Sequence, residues 1–359
     1  MVPYLSPQEN YDIVGQQQAE KTFLEALYAQ RLSHAIIFNG PKGIGKATMA
    51  FRFARLLLKP NVSRLDDSQS LFGTQENANS LDKVVPTTDT DRLIAQLAHP
   101  DLLYINKENE EKKTQKTEIV IDDIRQIKKF IHLTPSFAKW KIVIIDCADD
   151  LNRSAANALL KVLEDPPPYS LILLVTHHIG RILKTVRSRC QKITFKFLSD
   201  SDLSQLIDRY HPQQISEQNK TKIIALAEGS IGRAMSLLED GVFEQCQLMN
   251  EILEKLPELS QNLLQQLIDK VSNFSLIAEL LLSWVYQQSR NQMLQQSLEE
   301  NAFLQQDHLH INWEKIYQKI VGLLSATSPL HLDAKQSLMN IFMIISVELK
   351  NHAPIDQNY

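Results

Sequence analysis

The stretch Phe38-Asn39-Gly40-Pro41-Lys42-Gly43-Ile44-Gly45-Lys46-Ala47-Thr48 constrains the fold of this chain more than any other. It follows a short apolar run, Ala35-Ile36-Ile37-Phe38, and leads into Met49-Ala50-Phe51-Arg52-Phe53-Ala54-Arg55-Leu56-Leu57. Strand, glycine-rich turn and helix, in that order, are the setting of a phosphate-binding P-loop. In such a loop backbone N–H groups converge on a phosphate, and the helix N-terminus adds a favourable dipole. Gly40, Gly43 and Gly45 supply the turn, and Lys46 would reach the β- and γ-phosphates. Hydrolysis asks for Ser or Thr after the lysine, because its hydroxyl binds Mg²⁺. That position holds Ala47. Thr48 is no substitute, since one step along a helix turns the side chain by about 100°. The pattern predicts a phosphate cradle that lacks its metal ligand.

Further buried-strand patterns follow at Leu102–Ile105, at Lys141-Ile142-Val143-Ile144-Ile145-Asp146, at Leu171–Val175 and at Lys192–Phe195. Continuous apolar runs of this kind belong to strands covered on both faces, as at the centre of a parallel sheet. Helical patterns lie between them. One starts at Ile13-Val14-Gly15 and carries Ala19, Phe23, Leu24 and Leu27. Another follows Asp122-Asp123, read as its N-cap, and carries Ile124, Ile127, Phe130 and Ile131. A third runs from Ala155 to Leu163 and stops at Pro166-Pro167-Pro168. Residues 1–197 therefore predict an α/β domain, a parallel sheet with helices on both faces. Residues 59–100 are polar and broken by Pro and Gly, and predict an insertion with little structure of its own. Residues 106–117, rich in lysine, predict a solvated loop. After Phe197 the β signal ends. Residues 198–240 predict a small set of short helices turning at Glu228-Gly229-Ser230. Residues 241–359 carry long Leu/Ile periodicities and predict an all-α bundle.

Composition narrows the functional classes. With 359 residues the chain has room for two or three domains, and its 43% hydrophobic and 22% charged content is that of a globular protein. A net charge of −4 argues against a free-standing, non-specific nucleic-acid binder. Cys147, Cys190 and Cys246 are far apart and form no C-x-x-C pair, which gives neither a disulfide framework nor a zinc signature. No secretory pattern and no apolar run of transmembrane length occurs, so the expectation is a reduced, cytoplasmic protein with no membrane partner.

Asp146 ends its strand where a P-loop NTPase holds an acid for Mg²⁺. Several active P-loop classes place a Glu directly after it to orient or deprotonate the attacking water. Here that residue is Cys147, which cannot take this role at neutral pH unless its pKa is strongly lowered. Asp149 and Asp150, just beyond, read as turn residues that cap the next helix. The site thus lacks a metal-binding hydroxyl and a base. Either loss is serious, because positioning and charge stabilisation supply nearly all of phosphoryl-transfer catalysis.

Two further stretches carry a family resemblance. Asn157-Ala158-Leu159-Leu160-Lys161-Val162-Leu163-Glu164-Asp165-Pro166-Pro167 resembles the signature of bacterial clamp-loader AAA+ subunits, and Thr185-Val186-Arg187-Ser188-Arg189-Cys190 resembles the Ser-Arg-Cys motif of the same family. Within that family the altered P-loop is similar to the delta-prime type. The similarity covers residues 13 to about 240 and, more weakly, the helical C-terminal part. It implies an AAA+ P-loop sheet domain over 1–197, a helical lid over 198–240 and a collar over 241–359.

The resemblance also implies roles. Arg189 would be an arginine finger reaching the γ-phosphate of ATP on a neighbouring subunit; an ordinary surface ion pair is the alternative. Thr176 would be the first sensor and Arg233, in Gly229-Ser230-Ile231-Gly232-Arg233, the second, although both have plain structural alternatives. The implied partners are gamma/tau ATPase subunits and a delta subunit, with the sliding clamp and primed DNA reached through the complex. The implied process is chromosome replication by a DNA-directed DNA polymerase holoenzyme. No cofactor is required: the retained glycines and Lys46 leave room for ATP or ADP to bind without hydrolysis. Many relatives carry a four-cysteine zinc module after the P-loop helix, but residues 59–100 contain no cysteine, so no zinc is expected. Rival readings are a self-sufficient ATPase of the gamma/tau type and a P-loop kinase or nucleotide sensor.

Overall fold

The structure, a computed structural model, describes residues 6–59, 89–109, 114–115, 118–211, 215–300, 311–327 and 334–351. Its internal contacts divide the chain into two compact units, residues 1–234 and 235–359.

The first unit is built on β1 (Ala35–Asn39), β2 (Leu102–Ile105), β5 (Lys141–Ile145), β6 (Ser170–Thr176) and β7 (Gln191–Thr194), with a minimal antiparallel ladder of β3 (Glu108–Asn109) and β4 (Thr114–Gln115) after β2. The five longer strands form one sheet in the order β2-β5-β6-β1-β7, and every pairing in it is parallel. The pleat sends alternate side chains to opposite faces. Ile36 and Phe38, with Ile142, Ile144, Leu171 and Leu173, enter one core. Ala35 and Ile37, with Val143, Ile145, Ile172 and Leu174, enter the other. This explains why the strands read as continuous apolar runs.

The first core is closed by α1 (Gln17–Tyr28), α2 (Lys46–Leu58) and α3 (Asp89–Ala95). Phe23 of α1 stacks on Phe53 of α2 with ring centroids 3.6 Å apart. The second core is closed by α4 (Ile121–Ile131) and α5 (Arg153–Glu164). Each large side chain buried this way contributes about 1.5–3 kcal/mol before entropy is set against it.

Local chemistry moved several predicted boundaries. Helix α1 starts at Gln17, not Ile13, because the chain first turns through Gly15 at φ +79°. Helix α4 starts at Ile121, so Asp122 and Asp123 lie inside its first turn, and the Asp123 carboxylate accepts the Val120 N–H at 3.0 Å. The cap of α5 is Asn152, whose Oδ1 accepts the Ala155 N–H at 2.9 Å. Asp150 instead pairs with Lys107 at 2.6 Å. Within the polar insertion, residues 60–88 lie outside the described residues, but α3 shows that its end is structured. Asp91 of α3 lies 4.0 Å from Arg55, and both side chains are fully buried.

After β6, α6 (Lys184–Arg187) precedes β7. Then α7 (Asp200–Tyr210), α8 (Glu217–Ala227) and α9 (Ile231–Leu237) follow. Helix α8 ends through Glu228 and Gly229, at φ +47° and +76°, at the turn read from sequence.

The second unit is helical: α10 (Val242–Glu254), α11 (Gln261–Lys270), α12 (Phe274–Glu300), α13 (Trp313–Thr327) and α14 (Ala334–Lys350). Leu264, Leu267, Ile277, Leu281, Ile316 and Ile341 are among its buried residues, at the helical spacings the sequence shows. Trp284 and Trp313 meet edge to face at 5.7 Å.

One buried ion pair pins the loop before β5. Asp101, with no exposed surface, accepts N–H groups of Ser136 and Phe137, each at 2.8 Å, and lies 2.9 Å from the Lys141 ammonium. Burial pushes its pKa up, but these N–H bonds and Lys141 outweigh that and hold it below the usual carboxylate range. Removing one partner of such a pair leaves a buried charge alone. Asp101→Ala is therefore expected to lower stability by about 3–5 kcal/mol, measured as the shift in urea unfolding midpoint.

Candidate functional site

Parallel pairing sets Asn39 of β1 opposite Thr176 of β6 and Ile145 of β5 opposite Leu174. The P-loop, Asp146 and Thr176 thereby gather at the C-terminal edge of the central strands, where open α/β sheets bind their ligands.

The lysine of the loop is turned inward. Lys46 is 3% exposed and donates to the carbonyl oxygen of Gly40 at 2.7 Å and to that of Pro41. Burial pulls its pKa down to about 8, against the raising influence of Asp146 and Asp149. A cleft lined by Asp12, Ile13, Gly45, Thr48, Leu206 and Tyr210 adjoins the loop, but its volume is about 20 Å³. That is room for roughly one water.

Asp146 is equally committed. Its carboxylate accepts the Tyr104 hydroxyl at 3.0 Å and the Cys147 N–H at 3.0 Å. Burial raises its pKa, with the bonds from Tyr104 and Cys147 opposing. Cys147 occupies a left-handed backbone position at φ +59°. Burial pushes its thiol up to about 12, and the neighbouring Asp146 adds to this. Such a thiol stays protonated at neutral pH and cannot act as a base.

Thr176 is fully buried, and its hydroxyl donates to Asp149. The same carboxylate accepts the N–H groups of His177 at 2.6 Å and His178 at 3.2 Å. Asp149 does sit in a turn, a single 3-10 turn over Ala148–Asp150, but its work is to tie down the end of β6. Arg233 turns to Glu228, with Nη1 2.6 Å from the carboxylate. The α9 residue that lies against the P-loop is its neighbour Gly232, whose N–H donates to Gly43 O at 2.9 Å.

Arg189 stands apart from these groups, just after α6. Its side chain is 37% exposed and pairs with Glu164 at 2.8 Å, while Nη1 donates to Thr185 O at 3.0 Å. Exposed pairs of this kind contribute about 0–1 kcal/mol. The guanidinium is thus held in place yet released at little cost.

Gly40, Gly43, Gly45, Lys46, Asp146 and Thr176 are therefore assembled at one edge, with Arg233 directed to Glu228 and Arg189 outside the group. Among the described residues, no three His, Cys, Asp or Glu side chains come together as a metal site, and no helix is long and apolar enough to cross a membrane.

Residues 15–199 match the model of the family described as DNA polymerase III, delta subunit. The chain belongs to that family. The parallel sheet with the P-loop after β1 is the α/β domain expected from its sequence. Subunit tau of DNA polymerase III from Bacillus subtilis is 29% identical over 66% of this chain and 38% of its own length. Subunit delta' from Pseudomonas aeruginosa is also 29% identical, over 62% of this chain and 61% of its own. The match thus spans less than two thirds of either relative's length, and identity alone does not separate the two subunit types. A solved gamma-subunit-related protein from Thermotoga maritima is 21% identical, with 91% of this chain and 99% of that chain covered at a TM-score of 0.42.

Sequence reasoning missed four members of this site. Tyr104 and Asp149 are brought to Asp146 and Thr176 by the strand order, which no local pattern reveals. Ser230 was read only as part of a turn, and Gly232 only as the neighbour of Arg233 in the second-sensor stretch.

One of these contacts has a measurable pH signature. Burial, with Lys46 next in size, pulls the pKa of His177 from 6.5 down to about 4, and Lys42, His178 and Asp149 also face it. Its Nδ1 has no hydrogen-bond partner among the described residues. Below pH 6.5 the unfolded chain takes up this proton first, so the contribution is fully present above 6.5 and is lost as pH falls towards 4. The thermal midpoint of His177→Gln should fall less steeply than that of the wild type over this range, followed by circular dichroism.

Proposed function

We propose that this chain is a delta-prime-type subunit of the DNA polymerase III clamp loader: an AAA+ member that does not hydrolyse ATP and supplies Arg189 in trans to ATP on a neighbouring subunit. One contrast carries the reading. Each phosphate- or metal-facing group of the chain's own site is already satisfied by protein, whereas Arg189 stands exposed in a pair that breaks at little cost. Lys46 is on loop carbonyls, Asp146 on Tyr104, and Thr176 on Asp149. Ala47 offers no hydroxyl and Cys147 no base, so the residues present do not fit Mg²⁺-dependent hydrolysis. No nucleotide or zinc is required for this role.

Planar, permanently charged guanidinium suits a γ-phosphate that gains charge in the transition state. The partners on this reading are gamma/tau ATPase subunits and a delta subunit, with the sliding clamp and primed DNA engaged through the assembly in the cytoplasm. Residues 198–240 act as the lid and 241–359 as the collar. An exposed apolar stripe supports a collar role. Met343 and Val347 on α14 are each 50% exposed, and Met339 continues the same i, i+4 row. Packing against other subunits would cover such a row.

A self-sufficient ATPase of the gamma/tau type is the second reading, favoured by the 29% identity to subunit tau over 240 residues. ATP turnover by the purified chain, abolished in Lys46→Ala, would establish it.

Two outcomes are expected. In a complex reconstituted with ATPase and delta subunits, Arg189→Ala should lower clamp- and DNA-stimulated hydrolysis at the adjacent site by a factor on the order of 10³, and Arg189→Lys should not restore it. Unchanged hydrolysis sinks the finger assignment. Met343→Glu should weaken incorporation into that complex at least about tenfold, a cost of about 1.4 kcal/mol, with the helical content of the free chain unaltered by circular dichroism.

A further inference from the structure

The retained P-loop glycines invite the view that they are kept for phosphate. The contacts around Gly43 point elsewhere. Gly43 has φ +74°, and a Cβ built on it would lie 2.4 Å from Ser230 Oγ and 3.0 Å from Gly232 Cα. A Cβ on Gly232 would in turn lie 2.9 Å from Gly43 Cα. Two backbones therefore touch with no space for a side chain on either.

Hydrogen bonds close the same contact. Gly232 N–H donates to Gly43 O at 2.9 Å, and Ser230 Oγ donates to Lys42 O at 2.9 Å. Ser230 is 5% exposed, and its hydroxyl also accepts the Arg233 N–H at 3.2 Å. Along the loop, the carbonyls of Gly40 and Pro41 are taken by Lys46, those of Lys42 and Gly43 by the start of α9, and that of Ile44 by the Gln16 amide at 3.3 Å. Five successive carbonyls are thus bound by protein donors. In a phosphate-bound loop Lys46 would donate to phosphate instead.

We propose that the start of α9 is an internal latch on the P-loop. It fixes the loop in the form in which Lys46 turns back onto the loop's own carbonyls, and nucleotide enters only after the Ser230 and Gly232 contacts open. Gly43 and Gly232 serve as the two halves of the seat. This deepens the reading of the site as non-hydrolysing and rests on it, but the two are tested apart: the latch on the isolated full chain, the other in the reconstituted complex.

The experiment compares wild type, Ser230→Ala and Ser230→Ala/Gly232→Ala by two readouts. One is hydrogen exchange at the Gly232 amide; the other is binding of a fluorescent N-methylanthraniloyl-ADP by anisotropy. Loss of one buried hydrogen bond shifts an opening equilibrium by about two- to tenfold. Ser230→Ala, which removes only a hydroxyl, should speed Gly232 exchange and tighten ADP binding within that range. The double variant should exceed tenfold on both, and adding Lys46→Ala should abolish the gained binding. Should the double variant fail to fold, Ser230→Ala alone decides. The latch is overturned if wild type binds the ADP probe as tightly as Ser230→Ala, or if its Gly232 amide exchanges at the unprotected rate. A reconstituted complex that still hydrolyses ATP through Arg189 while Ser230→Ala changes nothing overturns the latch and leaves the trans-acting role standing.

Discussion

Parallel pairing of β1 with β6, and of β6 with β5, is the constraint on which the rest of the first unit depends. It brings Asn39 level with Thr176 and Ile145 level with Leu174. Because alternate residues of all three strands enter opposite cores, a one-residue slip would carry each apolar set to the wrong face. The register is thereby fixed by burial on both sides. The loop that follows β1, the acid that follows β5 and the threonine that ends β6 have no freedom to be anywhere but together.

Given that enforced meeting, the chemistry turns on what the polar groups bond to. Buried donors and acceptors must find partners, and a low local dielectric makes failure costly. Lys46, Asp146 and Thr176 all find theirs within the chain. A site whose groups are mutually satisfied gains little when a phosphate arrives, since each new bond replaces one already made. Arg189 is in the opposite condition, exposed and held at the rim by Glu164 and the Thr185 carbonyl.

Much of this could be seen in the sequence because periodicity reports burial directly. The runs at Ile142–Ile145 and Leu171–Val175 announced strands covered on both faces, and the Leu/Ile spacing beyond residue 241 announced helices. Capping was harder. Asp122, Asp123 and Asp150 are all plausible caps by residue type, yet Val120 and Asn152 hold the cap positions, because the helix start depends on where the preceding strand end leaves the backbone. Asp149 was assigned to a turn correctly, but its attachment to Thr176 and His177 spans 27 and 28 positions. Such pairings follow from strand order and have no local signature. The missing hydroxyl at residue 47 and the missing carboxylate at residue 147 were legible from residue type alone; the inward turn of Lys46 was not.

The left-handed backbone at Cys147 has a consequence for how such a domain could change in time. A glutamate placed at that position would inherit the same φ, in a turn that Asp149 ties to the end of β6. A threonine placed at position 47 would adjoin a lysine bonded to its own loop. Neither change alone meets surroundings arranged to use it: a new acid or hydroxyl gains nothing while Lys46 stays on the loop carbonyls.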